Sequence, residues 1–184
     1  MSKARFIYYA IFSFIGLVAS FIITVEKFAL LADPKHIPSC SINPLFSCSN
    51  VMQSPEASTF GFPNPLLGLI GFSIILTFSL LGLYVKTFPR PVYRLLTLGL
   101  TFAAGFSTYL FYEAIFDIGA ICLYCVIVWL ASWMMFADSA VYLLTSKGKL
   151  SWLEGWGWFI GAAVWFSFIV TIVVHFWDTF KYMF

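Results

Sequence analysis

Charge is what this sequence has least of. Only 10% of its 184 residues are Asp, Glu, Lys or Arg, against about 25% in soluble globular domains. The net charge of +2 is spread along the chain without a run of one sign, which excludes a nucleic-acid surface and a charged tail. The two histidines, His36 and His175, are isolated from each other and from any ligand pattern, and neither is assigned a role. There is no internal repeat, no low-complexity tract and no sign of a second domain. Cysteine is limited to four residues, which fall in two close pairs, "CSINPLFSC" at 40–48 and "CLYC" at 122–125.

What the chain has instead is apolar length: 61% hydrophobic residues and a mean hydropathy of +0.94. A membrane-crossing helix needs about 20 mostly apolar residues, and five stretches qualify, at about 6–25, 65–85, 93–116, 120–144 and 156–177. The first is too long for a signal-peptide core and reads as an uncleaved helix. "DIG" at 117–119 offers a turn between the third and fourth, with Asp117 as a candidate N-cap. The expected fold class is an all-α integral membrane protein with five transmembrane helices. Gly68, Gly71, Ala103, Ala104 and Gly105 are expected to permit close helix contacts.

Lys and Arg are retained on the cytoplasmic side of membrane proteins. With the N-terminus inside, Lys3, Arg5, Lys86, Arg90, Arg94, Lys147 and Lys149 lie inside and Lys27, Lys35 and Lys181 outside. This arrangement puts the long loop from about Lys27 to Asn64, rich in proline, on the extracytoplasmic face as a folded-back cap. The "DIG" turn and all four cysteines share that face.

In such a compartment paired cysteines point to disulfide chemistry. Cys122 and Cys125 fall on one face at a helix start and can close a small disulfide, and the helix end favours a thiolate at Cys122. Cys40 and Cys48 would close a nine-residue ring. A loop pair beside a helix-mounted pair suggests a relay by thiol–disulfide exchange. Two alternatives stand beside it: a four-cysteine metal site, although C-x7-C departs from usual ligand spacing, and a pair of inert staples. Glu113 and Asp117, one turn apart, are either proton-handling groups or solvated interface residues.

The ordered set of motifs resembles the vitamin K epoxide reductase family in its bacterial branch. It comprises C-x7-C followed by Ser49, then Ser54, then Asn64-Pro-x-x-Gly68 entering the second helix, then CxxC opening the fourth. The similarity covers about Phe6 to Leu144. DsbB-type oxidases carry their CxxC in the first loop instead, the reverse order.

The resemblance implies a four-helix bundle core that couples thiol oxidation to quinone reduction, or in animals to reduction of vitamin K epoxide and quinone. It implies that Cys40 and Cys48 are the loop shuttle pair, with Cys48 exchanging with Cys122, and that Cys125 is the thiol beside the quinone. By position, Ser54 matches the loop serine, and Asn64 the asparagine that donates a hydrogen bond to a quinone carbonyl. Trp129 stands where animal enzymes have a tyrosine. Tyr124, Trp129 and Phe62 are candidate walls of a quinone pocket.

The expected function is therefore reoxidation of a DsbA-like thioredoxin-fold partner by ubiquinone or menaquinone in the cytoplasmic (inner) membrane. Because the chain stops at Phe184 without a thioredoxin-like domain, that partner is expected to be a separate protein. Vitamin K epoxide reduction as the main activity, or a metal-binding membrane protein, are the alternatives.

Overall fold

The computed structural model describes residues 2–85, 88–145, 151–177 and 181. Lys86, Lys147 and Lys149 of the charge count lie outside the described residues. Among the described residues the regular structure is helical: α1 (Lys3–Ala32), α2 (Cys48–Gln53), α3 (Pro65–Val85), α4 (Arg90–Tyr112), α5 (Leu123–Thr145) and α6 (Gly157–His175). Five of these are long and apolar enough to cross a membrane.

α1 outruns its expected end at Val25. Its 30 residues span about 45 Å, well beyond the roughly 30 Å of hydrocarbon. Glu, Lys, Ala and Leu are good helix formers, so nothing interrupts the helix until Asp33 and Pro34. The extra turns rise past the bundle and form a post against which the long loop packs. α4 likewise starts earlier than expected, at Arg90, behind Pro89.

The turn between α4 and α5 also differs from expectation. Residues Glu113–Ile118 form a wide π turn that closes α4, and Gly119 ends it at φ 67°, a left-handed conformation that favours glycine. Asp117 lies inside that turn and is not the N-cap of α5. Residues 120–122 have no regular structure, and the Ile121 amide donates to the Leu45 carbonyl at 2.8 Å. α5 therefore begins at Leu123 and not at Ala120.

α1 packs on α3 and α5, and α5 on α4 and α6, while α3 and α4 meet only sparsely. α1, α3, α5 and α4 make the expected four-helix core, and α6 stands outside it on α5. Close approach uses Gly16, Gly68 and Gly82, where a side chain would run into Phe72, Ser20 and Phe6. It also uses Gly157 and Gly161, which seat α6 on the α5 backbone. Of the small residues expected to do this, Gly71 and Gly105 face open space. At the N-terminal end of the bundle Arg5 pairs with Asp138 at 2.9 Å and lies over the Tyr142 ring. The opposite end holds the loop, the π turn and all four cysteines.

Candidate active site

The loop is shaped by short polar contacts that its Ser, Asn and Pro residues supply. Glu26, on the outer extension of α1, accepts from the Ser39 amide at 3.1 Å and pairs with His36 at 2.6 Å, which fixes the approach to Cys40. Within the nine-residue ring the Phe46 amide donates to Asn43 Oδ1 at 2.7 Å. Ser41 Oγ takes the Ser49 amide at 3.1 Å. Ser47 caps α2 by accepting from the Asn50 amide at 3.3 Å, so Cys48 is the first residue of that helix.

Cys40 and Cys48 are joined as a disulfide, while Cys122 and Cys125 are free thiols. Cys48 Sγ lies 3.2 Å from Cys122 Sγ, and the sulfurs of Cys40, Cys48 and Cys122 all lie within 4.8 Å of one another. All three residues are buried, in one cluster with Ile23, Leu30 and Met52. So disposed, the cluster offers a disulfide and a thiol rather than three thiolate ligands, which disfavours the metal-site alternative.

Cys122 sits at the N-terminal cap of α5. The Cys125 thiol, hydrogen-bonded to it, is the largest influence holding the Cys122 thiol below its ordinary range. The Cys125 and Tyr124 amides act in the same direction and burial opposes them. A buried thiol stabilised as thiolate beside a disulfide sulfur is arranged for exchange.

Below the cysteines lies a cavity of about 730 Å³ enclosed by α1, α3, α4, α5 and the loop, within the size range of small-molecule sites. Cys125, Asn64, Ser54 and Trp129 all line it, whereas Cys122 does not. Most of the remaining wall is Ile, Leu, Val and Phe. Ile70, Ile74, Leu95 and Leu98 line it and are also more than 60% exposed, so the cavity opens sideways where α3 and α4 part.

The four cysteines, Asn64, Ser54 and Trp129 thus fall in one of two connected places, the sulfur cluster or the cavity wall. Asn64 also holds the loop in shape, since its Nδ2 donates to the Glu56 carbonyl at 2.6 Å and its Oδ1 accepts from the Thr59 amide at 3.1 Å. It clips the turn that precedes α3. Ser54 Oγ donates to the Val51 carbonyl at 3.1 Å at the end of α2. Trp129 is buried with its ring edge-on to Phe111. Phe62 and Tyr124 are not among the residues that line the cavity; Phe62 stacks on Phe60 and Tyr124 packs against the cysteine cluster.

Lys27, counted on the extracytoplasmic side, is a lining residue of the cavity. It is buried and donates to the Met52 carbonyl. The signal in the sequence was its spacing, because Ile23, Lys27 and Leu30 recur on one helical face.

Compared with known proteins, the chain matches the model of the vitamin K epoxide reductase family over residues 7–140. No curated protein matches it.

Proposed function

The chain belongs to the vitamin K epoxide reductase family and is a membrane redox enzyme of that type, and we propose that it oxidises protein thiols at the expense of a membrane quinone. The observation that carries this reading is the 3.2 Å approach of Cys48 to Cys122, with Cys125 on the cavity wall. One end of the cysteine chain is on a loop and the other on an apolar chamber open to the helix flank. That is what a route between an aqueous thiol donor and a lipid-soluble oxidant requires.

The donor is a separate DsbA-like thioredoxin-fold protein. Its thiolate attacks Cys40, the Cys40–Cys48 bond breaks, and Cys48 leaves as thiolate; the donor's second thiol then displaces Cys40 and leaves the loop pair reduced. Cys48 attacks Cys122 of a Cys122–Cys125 disulfide and expels Cys125. Cys40 then attacks Cys48, which restores the loop disulfide and frees Cys122. Two electrons and two protons have moved from the loop pair to the CxxC pair. Loop disulfide closed and CxxC free is the arrangement seen here.

The quinone supplies the oxidising power when bound. The chain's own residues bind and orient it: the apolar walls exclude water, Trp129 offers an N–H donor for its oxygens, and Asn64 offers one by turning an N–H from its long 3.5 Å contact with Thr59 Oγ1. Cys125 and Cys122 give up two electrons and two protons as their disulfide re-forms. Hydrogen bonds to an oxygen that gains charge in a dry site are worth more than in water. The cysteine end faces away from the cytoplasm of the inner membrane, a placement supported by the Lys and Arg count.

The test is anaerobic reduction of ubiquinone or menaquinone by the chain in vesicles, driven by a reduced thioredoxin-fold donor. Loss of quinone absorbance matched by two donor thiols oxidised per quinone is expected. Donor oxidation without quinone reduction would contradict the reading.

A further inference from the structure

Lys27 is the one cation among the described residues that line the cavity. Lys27 stands on the outer extension of α1, yet its side chain is buried, and a buried charge without an ionic partner is costly. Two ion pairs occur among the described residues, Arg5–Asp138 and His36–Glu26, and Lys27 is in neither, although Glu56 and Glu113 also line the cavity. Its ammonium donates to the carbonyl of Met52, itself a lining residue, so the charge sits at the cavity wall. An ammonium carries three donors, and that contact uses one.

We propose that Lys27 is the electrostatic partner of the reduced acceptor, a cavity-wall cation that stabilises the negative charge gained by a quinone oxygen. The inference rests on the quinone reading above. Cys122 and Cys125 lose two electrons and two protons as their S–S bond forms, and the two quinone oxygens take both. Whenever electrons arrive ahead of protons the acceptor is an anion in an apolar chamber. A fixed ammonium at the wall favours that state at no cost of reorganisation. The same contact fixes the last turn of α2, whose first residue is Cys48.

The test compares equilibrium binding of two probes, neutral 1,4-naphthoquinone and 2-hydroxy-1,4-naphthoquinone, which ionises to an anion at neutral pH. Binding is read by quenching of tryptophan fluorescence in the full chain, in Lys27→Gln and in Lys27→Arg. Gln retains an N–H donor without the charge, and Arg retains the charge. The anion is expected to weaken by about tenfold or more in Lys27→Gln, with the neutral probe within about threefold and near-native binding of both in Lys27→Arg. Quinone-reduction kcat should fall in Lys27→Gln by a similar factor with little change in KM.

An anion-to-neutral preference unchanged by Lys27→Gln overturns the inference and leaves the quinone reading intact. Loss of both probes together in Lys27→Gln also overturns it, making Lys27 a clamp for α2 only. Failure of the unsubstituted chain to bind the neutral probe overturns the quinone reading and this inference with it.

Discussion

Cys122 and Cys125 share one turn of chain but serve different neighbours: Cys122 touches the loop cysteine Cys48 at 3.2 Å, and Cys125 lines the apolar cavity. The non-helical residues before α5 produce this split. Cys122 is held at the helix cap, beside the loop, because Ile121 is hydrogen-bonded to Leu45. Cys125 is already in the helix and turns inward. The two thiols are thereby the two ends of a junction.

Cys125 is the main cause of the lowered Cys122 pKa, so once Cys40→Ala and Cys48→Ala remove its loop sulfur neighbours, Cys122 should react with iodoacetamide at pH values below those for an ordinary thiol. Adding Cys125→Ala to that variant, in which Cys122 has no disulfide partner, should move the midpoint of Cys122 alkylation up. Because a depressed acidic pKa stabilises the fold above the unfolded pKa and loses that contribution as pH falls through the folded one, the native chain should also lose stability through this window. An alkylation midpoint that stays put when Cys125→Ala is added to the loop-cysteine variant would remove Cys125 as the cause.

Asn64 joins the loop to the cavity. Asn64→Ala should slow quinone reduction by roughly tenfold to a hundredfold, the loss of a charge-supporting hydrogen bond, while leaving exchange between the donor and Cys40 largely intact. Since Asn64 also clips the Glu56–Thr59 turn, proteolysis of that turn should quicken in the same variant. Unchanged quinone kinetics would take Asn64 out of the site.

At the other end of the bundle, Arg5 and Asp138 form a mostly buried pair. Removing one partner leaves an uncompensated charge, so Arg5→Met should destabilise the bundle by about 3 kcal/mol. Arg5→Met with Asp138→Leu should recover most of that loss. Detergent unfolding monitored by circular dichroism reads both, and a double variant no better than the single one would count against the pairing.

Sidedness is tested in intact cells. After reduction, a membrane-impermeant thiol reagent should reach Cys40 or Cys48, as the charge count in the sequence predicts. Labelling only after the membrane is opened would reverse the orientation.

The spans and the cysteine pairs were legible in the sequence because both are local signals: twenty apolar residues in a row, and two short spacings. The ordered motifs join Asn64 and Ser54 to the cysteines, and the resemblance adds Trp129 by position, where animal enzymes have a tyrosine. What stayed hidden depends on neighbours. Hydropathy marks where a helix stops being apolar rather than where it stops, so the outer turns of α1 were missed, and Lys27 with them. Gly71 and Gly105 read like Gly68, and only the helix opposite decides which glycine is contacted. Asn64 presented itself as a ligand donor, whereas its amide is also spent on the loop.

The central claim is that electrons pass between Cys48 and Cys122, and peptide mapping of Cys125→Ala without reduction tests it most directly. In that variant the Cys122 thiolate can attack Cys48 and free Cys40, and no Cys125 remains to take Cys122 back. A peptide pair joined by Cys48 and Cys122 is expected. A variant holding only the Cys40–Cys48 disulfide, with Cys122 free and disulfide formation continuing in cells, would contradict the relay.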